Sequence, residues 1–356
     1  MKRLDEIDTN FRVNTQDVPG DYVYRDPREA PFKIYGLCPN DEGTYCRLPL
    51  DFLPECTENV QRLAYHLTGA CVRFTTDSSG LHVLWELDHL SNMPHFTGCG
   101  QNGMELFEET EQGTRQISNL IPRPMTAEDR TQSHFIKLPG GLRHYVLYLP
   151  LYNGLTQFLL GFAPDAKVEA GRTPRIEKPI LFYGSSITQG GCASKAGSCY
   201  TTLLARRLDA ALVNLGFSGN GRAEENMARH IASREMSLFA MDYDHNAPNP
   251  EFLQATHERM YRIVREAQPE LPIVLISRPD FDKNYEDSTL RRDIILDTYH
   301  KAVAEGDKNV YFVDGERFFG SRDRDLCTVD GVHPTDIGFL RMADTLEFLF
   351  HRILYK

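Results

Sequence analysis

Two rhythms of apolar residues divide the chain. In the first part, apolar positions recur with a period of two. Val72, Phe74 and Thr76 form one such run, Leu81, Val83, Trp85 and Leu87 a second, and Tyr145, Leu147 and Leu149 a third. Turn-forming clusters, Asp77-Ser78-Ser79-Gly80 and Pro139-Gly140-Gly141 among them, separate the runs. Alternation puts successive side chains on opposite faces of a strand. Short alternating strands with such turns predict an antiparallel β-sandwich over residues from about 20 to 165, of jelly-roll type.

After Pro174 the rhythm changes. Short, wholly apolar runs at 179–183, 211–215, 238–241, 273–276 and 310–313 read as buried parallel strands. Between them lie helical patterns at 198–208, 223–233, 250–266 and 288–304. A last helix is expected after Pro334, with Ile337, Leu340, Leu346 and Phe350 on its buried face. Strands alternating with helices predict a doubly wound, three-layer α/β/α domain. We therefore divide the chain into a sandwich domain, 1–165, with residues 1–20 as an extension, and a second domain, 175–356.

Composition narrows the function classes. With 356 residues, two domains are the natural expectation, and 41% hydrophobic and 25% charged residues suit two packed cores. The net charge of -11 argues against nucleic acid or an anionic membrane as partner. No stretch approaches the roughly 18 apolar residues of a membrane span. Met1-Lys2-Arg3 has no apolar run behind it, so no secretory signal is expected. The eight cysteines contain no Cys-x-x-Cys pair, which favours reduced thiols in a cytoplasmic protein over a zinc site or a disulfide framework. Cys192 and Cys199 are expected to pack as small hydrophobes.

The chemistry-bearing residues follow the predicted strands. Gly184-Ser185-Ser186 comes after the first, Gly216-Phe217-Ser218-Gly219 after the second and Asp244-His245-Asn246 after the third. Asp330-Gly331-Val332-His333-Pro334 comes after the fifth. Right-handed crossovers bring the C-terminal ends of such strands to one edge of the sheet, where ligands bind. A serine hydroxyl becomes a nucleophile only when a base takes its proton, and that base is usually a histidine oriented by a carboxylate. Ser186, His333 and Asp330 supply those three types. The oxyanion needs donors, for which the N–H groups of Ser186 and Gly219 and the amide of Asn246 are candidates.

These four segments resemble the four blocks of the SGNH hydrolases, or GDSL esterases. The first block normally reads Gly-Asp-Ser-(Ile/Leu)-Thr and here reads Gly184-Ser185-Ser186-Ile187-Thr188. The second block's glycine falls on Gly219, the third block's asparagine on Asn246, and Asp-x-x-His-Pro matches at Asp330 and His333. Gly103-Met104-Glu105-Leu106-Phe107 is similar to the Gly-x-Asp-Leu-Tyr signature of a subgroup with an N-terminal sandwich. In that subgroup Leu149–Gly154 fits the sandwich's last strand and its exit. The resemblance implies a flavodoxin-like SGNH fold and an esterase acting on small acyl groups, often acetyl, carried by a carbohydrate or another small alcohol. It implies no cofactor.

Other readings compete at particular residues. Asp244, His245 and Arg278 are candidates for the substrate pocket, against bracing a loop or forming a salt bridge. A two-metal hydrolase needs more His and Asp ligands at strand ends than the chain offers, so no catalytic metal is expected. Trp85 suits core packing better than carbohydrate stacking. Asn92 and His95 are candidates to reach the site from a loop of the first domain. That domain is expected to cap the active edge, shape the pocket or mediate homo-oligomerisation. An acyltransferase on the same machinery and a non-catalytic carbohydrate-binding protein are the alternatives to an esterase.

Overall fold

The structure, a computed structural model, describes residues 4–8, 18 and 20–355. The expected 1–20 extension, with its stretch read as lacking a secretory signal, falls largely outside them. Two antiparallel sheets form the first half. One orders Val23–Arg25, Leu155–Phe162, Gly80–Leu87 and Thr131–Lys137. The other orders Val168–Ala170, Cys71–Thr76, Arg143–Tyr148, Met104–Thr110 and Gly113–Leu120, with Lys33–Tyr35 also paired to Cys71–Thr76. Leu81, Val83 and Leu87 from one sheet bury against Val72, Phe74 and Leu147 from the other. Trp85 lies in this core, 1% exposed, so it packs and does not present a sugar-stacking face.

Two features depart from a simple sandwich. Leu149–Gly154 is not the exit, because Leu155–Phe162 and Val168–Ala170 follow it. The 149–154 loop runs along the second domain and the chain then returns to pair with Gly80–Leu87. Residues between the Lys33–Tyr35 and Cys71–Thr76 strands also leave the sandwich. Leu48, Leu53, Val60 and Ala64 join the core of the second domain, beside Met227 and Phe239.

The second half is a five-stranded parallel sheet. In space the strands run Ala210–Gly216, Ile176–Gly184, Leu238–Asp242, Ile273–Ile276, Val310–Val313, the 2-1-3-4-5 order of flavodoxin-like folds. Alternation along each buried strand feeds two cores. Leu181 and Tyr183 face Glu225–Ala232, Pro250–Ala267 and Tyr285–Ala304. Ile180 and Phe182 face Tyr200–Arg207 and Asp336–Leu354.

The last helix buries a different stripe from the expected one. Phe339, Met342, Ala343, Leu346, Phe350 and Ile353 face the core, while Ile337 and Leu340 are 42% and 44% exposed. At about 100° per residue, Ile337 lies opposite Leu346, so the four expected residues never shared one face. No helix among the described residues is long and apolar enough to cross a membrane. All eight cysteines are free.

Candidate active site

The first parallel strand ends at Gly184, and Ser186 opens a one-turn helix, Ser186–Gln189. A capping box makes the turn. The Ser185 hydroxyl accepts from the Ile187 N–H at 3.1 Å, and Thr188 Oγ1 accepts from the Ser185 N–H at 3.2 Å. Serine caps a helix about as well as aspartate, so Ser185 fills the place where the family usually carries Asp. Gly184 is required by close approach, since a Cβ there would sit 2.0 Å from Thr188 Oγ1.

His333 is held by its own turn. Asp330 Oδ1 accepts from the N–H groups of Val332 at 3.0 Å and His333 at 2.8 Å. Its Oδ2 lies 2.7 Å from His333 Nδ1, and His333 Nε2 lies 3.0 Å from Ser186 Oγ. An ionised carboxylate only accepts, so Nδ1 carries the proton and Nε2 is left to accept from the serine hydroxyl. Burial would raise the Asp330 carboxyl, but the hydrogen bonds from the His333 ring and the two amides outweigh it and hold it down at about 2. Cys192, close by, is no rival nucleophile. Burial and the Asp330 charge push its thiol up to about 11, so it stays protonated near neutrality.

The residues expected to donate to the oxyanion come from two further loops. Gly219 has φ +69, a conformation that favours glycine, and a Cβ there would meet nothing within 4 Å. The amides on either side are committed, Ser218 N–H to Gln189 Oε1 at 2.9 Å and Asn220 N–H to Phe217 O at 2.8 Å. Asn246 is buried and donates one amide hydrogen to Phe217 O at 2.9 Å, which fixes its side chain against the Gly219 turn. Behind the serine, Asp242 Oδ2 accepts from Tyr200 Oη at 2.6 Å and Thr188 Oγ1 at 3.0 Å. Burial pushes this carboxyl up to about 6, against those two hydrogen bonds.

The expected pocket residues Asp244, His245 and Arg278 are otherwise occupied. Asp244 Oδ2 accepts from the Arg278 N–H at 3.0 Å, and Arg291 bonds Asp244 O at 3.1 Å and Ala247 O at 3.0 Å. Arg278 Nε donates to Ser288 Oγ at 3.0 Å, and its Nη2 donates to Asp287 Oδ2 at 2.5 Å. His245 Nε2 lies 3.0 Å from Asp280 Oδ1. Asp244 and Arg278 are buried and His245 half-buried, each beside an opposite charge, and together they brace the Asn246 loop.

Two family models match the chain. The model of the GDSL-like lipase/acylhydrolase family covers residues 177–351, and that of the N-terminus of SGNH-hydrolase-type esterases, the Gly-x-Asp-Leu-Tyr domain, covers 22–168. The chain is an SGNH/GDSL-type esterase. Solved structures agree across nearly the whole length of this esterase. One, assigned as a GDSL-like lipase from Bacteroides ovatus, is 27% identical with a TM-score of 0.84, covering 94% of this chain and 98% of its own. The salicylyl-acyltransferase SsfX3 of a tetracycline biosynthetic pathway is 19% identical with a TM-score of 0.76, over 94% and 98%. An acetyl xylan esterase from Butyrivibrio proteoclasticus is 14% identical with a TM-score of 0.57, over 94% and 99%. No curated protein matches this esterase.

The sandwich domain of the esterase builds part of the site. Tyr152 Oη donates to Ser186 O at 3.1 Å, and Thr68 Oγ1 to Gln189 O at 2.7 Å. Arg47, wholly buried, donates to Asn214 O at 2.7 Å and Gly216 O at 2.9 Å, just before the Gly219 turn. Glu105, the acid of the signature-like pentapeptide, accepts from Lys195 Nζ at 2.8 Å and the Gly197 N–H at 2.9 Å in the loop after the serine. The His95 ring lies 6.0 Å from that of His333, and Asn92 lines a cavity of about 400 Å³ with Asn59, Arg62, His66, Ser218 and Asn220. Burial pushes His66 down to about 3, so this wall carries a neutral imidazole. Sequence reasoning missed Arg47, His66, Tyr152 and the role of Glu105. Of these, only Glu105 and Tyr152 lie in segments with a local signal, the signature-like pentapeptide and Leu149–Gly154.

Proposed function

We propose that the enzyme hydrolyses small acyl esters, acetyl above all, of carbohydrates or similar polyols, in the cytoplasm and without a cofactor. The carrying observation is the unbroken relay from Ser186 Oγ through His333 to Asp330, with steps of 3.0 and 2.7 Å. Ser186 Oγ attacks the acyl carbon as its proton passes to His333 Nε2. Asp330 steadies the imidazolium. The oxyanion is met by the N–H groups of Ser186 and Gly219 and by Asn246. Collapse expels the alcohol, which takes the proton from Nε2. Water then attacks the acyl-serine, gives a proton to Nε2, and the acid leaves as that proton returns to Oγ.

The polar lining of the 400 Å³ cavity beside the Gly219 turn supports a hydroxylated alcohol portion. The eight free thiols support a reducing compartment. The division of labour at about residues 165–175 follows the same reading, with 175–356 carrying the chemistry and 1–165 shaping the pocket. A fluorophosphonate probe should label Ser186, and Ser186→Ala should neither label nor hydrolyse p-nitrophenyl acetate. A labelled, active Ser186→Ala variant would sink the assignment. Release of acetate from acetylated oligosaccharides, assayed with and without added alcohol acceptors, tests the substrate class and separates hydrolysis from acyl transfer.

A further inference from the structure

Three segments that are distant in sequence bring soft ligands together at the mouth of the site. His95 comes from a loop of the sandwich, Cys192 from the loop after the nucleophile helix, and His333 from the turn before the last helix. Their ligand atoms all lie within 4.8 Å of one another, the one such trio of His, Cys, Asp or Glu among the described residues. We propose that His95, Cys192 and His333 form a zinc site that reversibly switches the esterase off.

The chemistry selects the metal. Two imidazoles and a thiolate suit a borderline-soft ion, and three protein ligands leave a fourth position for water. A tetrahedral zinc site with bonds of 2.0–2.3 Å sets its ligand atoms about 3.3–3.6 Å apart, so the trio needs to close by only about an ångström. His95 is exposed, so its side chain has room for that movement, while Cys192 is buried. Cys192 has φ +73, an uncommon conformation for a non-glycine residue, which the surrounding loop imposes. Asp330 completes the arrangement. It already holds His333 Nδ1 at 2.7 Å, the carboxylate–histidine contact that orients metal-bound imidazoles. With Nδ1 so engaged, Nε2 is the donor left for a metal. The thiolate and the Asp330 carboxylate together balance the charge of the divalent ion.

Binding is a ligand exchange in which the Cys192 proton passes to buffer. The consequence for catalysis rests on the proposed role of His333. Once its Nε2 lone pair is bound to zinc, it cannot accept the Ser186 proton. This site differs from the two-metal centre at the strand ends that the sequence argues against, and the zinc here blocks the reaction.

Cobalt(II) titration of the full chain reads the site without using activity. The expected result is one equivalent of cobalt with a thiolate-to-cobalt charge-transfer band, displaced by zinc. Cys192→Ser should abolish the band, and His95→Ala should weaken zinc binding by at least about tenfold, the loss that even an outer-sphere partner produces. His95 is exposed, so its variant keeps the test valid if Cys192→Ser fails to fold. In the ester assay, each protein measured against its own metal-free rate, zinc should suppress the wild type at least tenfold. A chelator should restore that rate, and His95→Ala should need correspondingly more zinc. No thiolate band, unchanged binding in the variants, or full activity with the site occupied would each overturn the proposal. A chain that shows the band but hydrolyses no ester leaves the metal site standing and overturns the ester reading instead.

Discussion

Asp330 with His333, and Asp244 with Arg278 and Arg291, are two acid–base assemblies on one edge of the same sheet. The Asp330 and His333 side chains are 37% and 26% exposed, whereas those of Asp244 and Arg291 are 1% and 5% exposed. In the first assembly the carboxylate holds one imidazole nitrogen and the other is turned to Ser186. In the second, Asp244 accepts from the Arg278 N–H and from Arg291, Arg291 also donates to the backbone carbonyls of Asp244 and Ala247, and the Arg278 guanidinium is taken up by Asp287 and Ser288. Both were plausible functional groups by residue type. Reaction needs a spare valence with access to substrate, and only the first assembly has one. The second fixes the loop that carries Asn246.

The largest expected effects test the first assembly. Ser186→Ala or His333→Ala should lower kcat by about a millionfold, roughly 8 kcal/mol, as in other enzymes of this type. Asp330→Asn should cost about 10⁴-fold, because the imidazole loses its correct tautomer. If Asp330→Asn keeps most of the activity, another group orients His333. The second assembly should fail differently. Asp244→Ala leaves the buried Arg278 N–H without its acceptor and takes one of two carboxylates from Arg291, which keeps Asp287 at 2.9 Å, and should lower stability by about 2–4 kcal/mol in denaturant titrations. A variant of unchanged stability with reduced kcat would instead make Asp244 part of the chemistry.

The smallest effect concerns Asp242, which lies between the two assemblies. Its folded pKa, about 6, is above its ordinary value of 3.8, so folding favours the protonated carboxyl. Its contribution to stability is therefore greatest below about pH 4 and is lost as pH rises through 6, in total about 3 kcal/mol. Asp242→Asn keeps an oxygen to accept from Tyr200 and Thr188 and removes that loss. The stability gap between variant and wild type should open between pH 4 and 6 and stay constant above. A gap that does not change across this window would show that Asp242 is not shifted.

Much of this was legible in the chain. The strand ends that carry Ser186, Gly219 and Asn246 follow from apolar runs a few residues long, and Asp330 and His333 make contact across three residues of one turn. The helical stripe after Pro334 was misread because Ile337 and Leu340 sit on the far side of the helix from Leu346. Asp244, His245 and Arg278 were legible as strand-end residues, but their partners were not. Arg278 N–H meets an oxygen 34 residues away, and nothing local marks that pairing.

By itself, then, the sequence determined the two rhythms, the order of the parallel strands' loops and the expectation that Ser186, Asp330 and His333 share one sheet edge, because these depend on local periodicity and on the handedness of crossovers. The tertiary structure alone decided that the sandwich domain helps to build the site. Arg47 reaches Asn214 O across 167 positions, and Glu105 reaches Gly197 N–H across 92. Such contacts arise when two separately folded surfaces meet, and buried backbone groups at that junction accept whichever donor the packing delivers.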